Sequence, residues 1–429
     1  MFTTGEDVIK WILSRGYFGS SPGLTRIKEL LRLLDNPEKT YPTIHVAGTN
    51  GKGSTTRYLA NLLKSNNLKV GTFNSPFIKD FAEQVEINGQ EISDNDLIEM
   101  GNKIKPLVEK MDSQKEFYGI TEFEILTGLA FYYFQGKVDI AIIEVGMGGL
   151  LDSTNVIKPE FSVITTIGLD HTAYLGNTIE EIAYQKAGII KPDVPVILGN
   201  IPKNAVDVIN RYADRNHART YIWNQDYHSI YKTFVNQRFE QFDFVNRHTI
   251  LKNLETPLIG HQQAENAAVA LEVYYLYIQK HNLPFNKQEI SKSLLQTKWP
   301  ARMEIINSDP LIIMDGAHNP HAIKRLKENI LSDYSNYHVK ILFSAIVTKD
   351  IGTMLKELLK VPNVDITLTT FNDTRAINVN NYKDWNSLIT LCSDWKKAYQ
   401  EIKHNLKSNE LLLITGSLYF SSEVRSQLK

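Results

Sequence analysis

The run Thr43-Ile44-His45-Val46-Ala47-Gly48-Thr49-Asn50-Gly51-Lys52-Gly53-Ser54 decides the fold. Its first four residues are apolar and partly β-branched, as in a strand, and beyond the glycines an amphipathic stretch carries Leu59, Leu62 and Leu63. Strand, glycine-rich loop and helix are expected in that order. Such a loop sets successive backbone N–H groups and the positive end of a helix around one anion, with Lys52 free to reach outer phosphates. The general nucleotide-loop pattern asks for glycine six positions before the lysine and Ser or Thr directly after it. Val46 and Gly53 hold those places here. Gly48, the Gly51-Lys52 pair, and the hydroxyls of Ser54 and Thr55 still supply amides, a cation and oxygen partners, so a nucleoside triphosphate site is expected.

Outward from the loop, apolar runs recur at 69–73, 138–145, 161–167 and 194–198, with helical patterns at 122–134 and 179–187 between them. Alternating strands and helices imply a mainly parallel α/β sheet. An aromatic and polar stretch, 221–253, reads as hairpins and loops, and a helix is expected over 262–281. The pattern restarts after 296–300 with strands at 311–314, 339–343, 365–370 and 411–415. Two domains follow: 1–298, the larger, with the nucleotide loop, and 299–429, a smaller Rossmann-like α/β unit.

Composition narrows the function. The chain has 429 residues, 47 Lys plus Arg against 48 Asp plus Glu, and 42% apolar residues. That balance gives no global field to gather nucleic acid or an anionic membrane, so any anionic ligand must be held locally. The single cysteine, Cys392, excludes a disulfide framework and fits a reducing compartment, hence the cytoplasm. The first fifteen residues include Glu6, Asp7 and Lys10 and lack the apolar run of a signal peptide. No segment approaches the roughly 20 apolar residues of a membrane span. Lys396-Lys397 reads as a solvated helix face.

Other candidates sit at expected strand ends, the edge at which open α/β sheets bind ligands. Asn74-Ser75-Pro76 follows the second strand, Glu144 ends the third, and His171 follows the fourth in Gly168-Leu169-Asp170-His171-Thr172. A hydroxyl, a carboxylate and an imidazole near phosphates suit Mg²⁺. Asp315-Gly316-Ala317-His318-Asn319-Pro320 follows an apolar strand, with Pro320 able to open a helix.

Gly-Thr-Asn-Gly-Lys-Gly-Ser at 48–54 closely resembles the nucleotide loop of the folylpolyglutamate synthase and dihydrofolate synthase family, a branch of the Mur ligases. Matching motifs run from about residue 44 to about residue 419, ending in Thr415-Gly416-Ser417-Leu418-Tyr419. The resemblance implies a cytoplasmic, monomeric, ATP-dependent ligase that activates a folate or pteroate carboxylate as an acyl phosphate and joins it to L-glutamate. It assigns Thr49, Asn50, Gly51, Lys52, Gly53 and Ser54 to ATP, with Asn266 at the base, and Arg302, Asp315 and His318 across the domain gap. It implies magnesium on Ser75, Glu144 and His171, a second magnesium through carbamylated Lys186, and a monovalent cation such as K⁺. Lys52, Lys186 and His318 are the implied catalytic residues, and Thr121, Phe123 and Asp152 the implied pterin or folate contacts.

The sequence departs from the family pattern at Leu150 (usually Arg), Gln185 (Glu), Phe77 (His), Thr348 (Asp) and, mildly, Ser153 (Ala), which leaves the acceptor open. Competing readings are a Mur-type ligase acting on a non-folate carboxylate, a nucleotide-binding module without ligase activity, and a P-loop hydrolase. A cell-wall ligase is expected to carry a UDP-sugar domain ahead of the loop, whereas 47 residues precede Gly48. Retention of Lys52, Ser75, Glu144, His171, Lys186, Asp315 and His318 favours catalysis over binding alone.

Overall fold

A computed structural model describes residues 1–18, 22–78, 80–236 and 238–428. Thr43–Ala47, Ile140–Glu144 and Phe161–Ile164 are buried throughout, as expected of central strands covered on both faces. They lie in an eight-stranded sheet whose spatial order is Gln90–Glu91, Val85–Ile87, Val70–Phe73, Ile140–Glu144, Thr43–Ala47, Phe161–Ile164, Val196–Leu198, Thr220–Ile222. Six of these strands are parallel. The two short strands at the Val70–Phe73 side are antiparallel, and Gln90–Glu91 forms an exposed polar edge of the kind that discourages strand addition.

Helices Lys52–Lys64 and His261–His281 pack on one face of this sheet, where Leu59, Leu62, Leu63, Val269 and Tyr274 join Ile44, Val46 and Ile142 in one core. The other face carries Gly5–Ser14, Thr25–Leu33, Asp94–Asp112 and Glu122–Phe134 beside Phe73 and Ile143, and Ile179–Ala187 with Lys203–Arg215 beside Ile164 and Val196. Reciprocal capping boxes start two of these helices, Thr121 with Glu124 and Thr178 with Glu181. The stretch read as hairpins becomes a three-stranded antiparallel sheet, Tyr227–Val235, Phe239–Asn246 and Ile250–Thr256, lying against helix His261–His281.

The second sheet has six strands in the order Glu304–Ser308, Leu311–Met314, Glu410–Thr415, His338–Phe343, Val364–Leu368, Thr390–Leu391, all parallel except the first. Helices cover both of its faces. Trp299 belongs to the first domain's core, and Ala301, two residues on, to the second's. The antiparallel strand Glu304–Ser308 and the N-terminal helices carry no motif that the sequence reading used, and both went unanticipated. Lys396 and Lys397 are exposed on helix Trp395–His404, as expected.

Candidate active site

The nucleotide loop is built by its neighbours as much as by its own sequence. Gly51 takes φ +83, and a β-carbon there would lie 2.4 Å from Asn266 Oδ1, so this close approach requires glycine. Asn266 is buried against the loop and accompanied by Gln263, 3.2 Å away. On the other side Trp299 presses on Gly53. The Thr49 hydroxyl donates to Gly168 O, the Asn50 N–H donates to the Thr166 hydroxyl, and the Thr165 hydroxyl donates to Asn50 O.

Lys52 Nζ donates to Gly48 O at 3.1 Å and lies 3.9 Å from Glu144 Oε1. Glu144 is buried, and burial pushes its carboxyl up to about 7 despite the opposing pull of Lys52 and Arg302. Its Oε2 has no hydrogen-bond partner, nor do the hydroxyls of Ser54 and Thr55. The Ser75 N–H contributes to holding the Glu144 carboxylate. His171, at φ +49, starts the short helix Thr172–Leu175, and its Nε2 is 3.9 Å from Asp170 Oδ2. Burial and Lys349 bring its imidazole down to about 4. Among the described residues no group of three His, Cys, Asp or Glu side chains forms a ready metal cluster. Glu144 thus offers one free, buried carboxylate oxygen at this strand-end edge, the kind of oxygen a hard cation would take.

Lys186 is 3% exposed on helix Ile179–Ala187, and among the described residues its amine makes no hydrogen bond or ion pair. Burial, then Lys52, pull its ammonium down to about 7.

The second domain closes over this edge. Asp315 is buried at the end of strand Leu311–Met314 and accepts the Met303 and Ala317 N–H groups at 2.9 and 2.8 Å, while burial pushes its carboxyl up. Arg302, half-buried between residues of positive φ (Ala301 and Met303), feels the charges of both Asp315 and Glu144. His318 Nδ1 lies 2.8 Å from Gly316 O, which makes that nitrogen the donor and leaves the lone pair on Nε2, 3.7 Å from Asp170 Oδ2. Burial, then Lys349, push this imidazole down to about 4.

Sequence reasoning missed the groups that join the domains. Asn319 caps helix Pro320–Asp333 and also donates to Asn50 Oδ1 at 3.0 Å and Asp170 Oδ2 at 2.9 Å. His321 Nδ1 is 2.9 Å from Asn50 Nδ2. Lys349 pairs with Asp170 at 2.5 Å, both largely buried. Asn319 before Pro320 is a readable cap, but nothing local marks its reach to residue 50, or that of Lys349 to residue 170.

The three implied folate contacts are placed differently. Phe123 stacks on Phe73, centroids 5.8 Å apart, and lies against Gly146 at the end of the Glu144 strand. The Thr121 hydroxyl is held in its capping box, leaving little of it for a ligand. Both oxygens of Asp152 accept local hydrogen bonds, from Met147 N and from Thr154, and Thr154 in turn meets His45. Asp152 thus builds the loop 147–154. Two departures from the family pattern touch here, because Leu150 N donates to Gln185 O at 2.7 Å.

Residues 46–274 match the Mur ligase middle domain model and residues 301–418 match the Mur ligase glutamate ligase domain model. The chain is 39% identical, over the whole of both chains, to the dihydrofolate synthase/folylpolyglutamate synthase of Bacillus subtilis (strain 168). It is 34% identical to the folylpolyglutamate synthase of Lacticaseibacillus casei over 94% of each chain. Its fold matches a solved folylpolyglutamate synthase of Mycobacterium tuberculosis complexed with ADP, with a TM-score of 0.91 and 26% identity over 99% of this chain and 98% of that one. A folylpolyglutamate synthase complexed with AMPPCP and folate matches with a TM-score of 0.87 and 32% identity over 99% and 100%.

Proposed function

The chain belongs to the folylpolyglutamate synthase and dihydrofolate synthase family of Mur ligases, and from that membership we propose that it joins L-glutamate to a folate or pteroate carboxylate at the expense of ATP. The observation that carries the reading is the confrontation of two strand-end edges. Lys52 and Glu144 lie on one, Arg302, Asp315 and His318 on the other, and Asn50, Asp170 and Asn319 join them.

The loop amides and Lys52 hold the phosphates and neutralise charge gathering on the transferring group. The folate carboxylate attacks the terminal phosphorus, ADP leaves, and an acyl phosphate results. The amine of glutamate then attacks the acyl carbon, phosphate leaves, and an amide remains. His318, neutral near pH 7 with its lone pair on Nε2, is suited to take the proton that the amine loses. Ser75, Glu144 and His171 would hold magnesium, which supplies charge neutralisation for phosphoryl transfer when bound. The unpartnered Glu144 Oε2 supports this set. Lys186, buried and easily neutral, is a fit nucleophile for carbon dioxide, which supports a carbamate there as a ligand for a second magnesium; a nearby K⁺ belongs to the same proposal.

Residues 1–298 and 299–429 act as the two bodies of this machine in our reading; the packing changes from the first core to the second between Trp299 and Ala301, just past that boundary. Every group named lies on one chain, so a monomer suffices. No helix among the described residues is long and apolar enough to cross a membrane, and we place the reaction in the cytoplasm.

The test is phosphate release from ATP with purified protein, Mg²⁺ and L-glutamate, with dihydropteroate or tetrahydrofolate as acceptor, products being weighed by mass spectrometry. Release requiring both acceptor and glutamate is expected. Product with both acceptors gives a bifunctional synthase, and product with tetrahydrofolate alone restricts it to chain extension and implicates Leu150 or nearby changes in the loss of dihydropteroate. Absence of product with either overturns the folate reading.

A further inference from the structure

Asn74 follows the strand Val70–Phe73 and was read from the sequence only as the neighbour of Ser75. It is 3% exposed, and neither its side-chain oxygen nor its nitrogen has a hydrogen-bond partner. Its backbone N–H is satisfied by Gln84 O, so the anomaly is confined to the amide. A buried amide with both ends unmet is costly and uncommon in folded proteins.

Its position says what would meet it. Thr72 pairs with Ile142 and Phe73 with Ile143, so Asn74 is level with Glu144, one residue past the last paired rung. Side chains alternate along a strand, and Ile142 faces the core of helix Lys52–Lys64 while Phe73 and Ile143 face away from it. Asn74 and Glu144 therefore share the nucleotide-loop side of the sheet. Spatially, the Glu144 strand separates the Asn74 strand from the loop strand Thr43–Ala47. Two strand spacings amount to about 10 Å. A phosphate chain anchored by the loop amides and Lys52, and running across Glu144, brings its far end to Asn74.

We propose that Asn74 contacts the nucleotide directly, its Nδ2–H donating to an oxygen of the terminal phosphoryl group. A neutral amide suits this place because Glu144 alongside already supplies negative charge, and a second carboxylate would repel the incoming phosphoryl oxygens. The assignment rests on the nucleotide reading given above.

The experiment is calorimetric titration of the full chain and its variants, in the presence of Mg²⁺, with ADP and with a β,γ-methylene triphosphate analogue, together with thermal unfolding without ligand. Asn74→Leu keeps the branched shape and the number of heavy atoms and removes both polar ends; Asn74→Asp keeps an acceptor and loses the donor. The expected result is triphosphate binding at least 10-fold weaker in both variants, ADP binding within 2-fold of the parent, and an unfolding temperature for Asn74→Leu that is unchanged or higher. Equal weakening for both nucleotides, or no weakening for either, overturns the proposal. If Asn74→Leu fails to fold, Asn74→Asp decides by the same ratio. A parent protein that binds neither nucleotide fails the underlying reading and takes this proposal with it.

Discussion

Glu144 and Glu240 are two buried glutamates whose carboxyls burial pushes up to about 7, yet their surroundings differ in kind. Both oxygens of Glu240 are met, one by the Gly260 N–H and the other by the Tyr231 hydroxyl at 2.9 Å. That network fixes the start of helix His261–His281, on which Asn266 reaches the nucleotide loop. Glu144 keeps one oxygen unmet and has a lysine at 3.9 Å. Equal burial thus leaves two different carboxylates: at Glu240 the protein supplies every donor, and at Glu144 it leaves one oxygen open to a ligand.

The comparison is broken most decisively at Glu144. Glu144→Gln is expected to lower glutamate-dependent phosphate release by about 10²–10³-fold or more, as for other groups that stabilise transferring charge. Its unfolding free energy without ligand should stay level or rise, because a buried charge is removed. Activity retained within 10-fold would make Glu144 structural like its counterpart. Glu240→Ala should do the reverse, costing about 2–4 kcal/mol in denaturant unfolding near pH 6 by stranding the Gly260 N–H and the Tyr231 hydroxyl.

pH sharpens the contrast. The folded chain keeps Glu240 protonated up to about 7 against an ordinary 4.5, so it binds the extra proton between those values. The contribution is full below 4.5 and is lost as pH rises to about 7, a change of at most about 3.4 kcal/mol. The difference in unfolding free energy between parent and Glu240→Gln should therefore vary across that window and level off above it, with the variant gaining on the parent as pH rises. A difference independent of pH would show that Glu240 ionises freely. The smallest effect is expected of Tyr231→Phe, about 1 kcal/mol in stability with activity unchanged, since one donor of two is lost.

Much of this was legible in the chain. Helices Glu122–Phe134 and Ile179–Ala187 and strand Leu311–Met314 fall where periodicity put them, because each has capping residues or an unbroken apolar run of its own. Less legible were Asn74 and Lys349, whose residue types are ordinary and whose importance lies in what faces them. Asp152 shows the opposite limit, since the family resemblance marked it as a pterin contact while its oxygens turn out to be engaged in holding a loop.

The sequence by itself determined the parallel α/β architecture, the nucleotide loop and the family, because these rest on local backbone conformation, apolar period and short motifs read along the chain. Only the tertiary structure decided which polar groups are left without partners and which reach across the domains, as Asn319 reaches Asn50 and Lys349 reaches Asp170. Burial and through-space charge depend on residues hundreds of positions apart, and no window of sequence contains both.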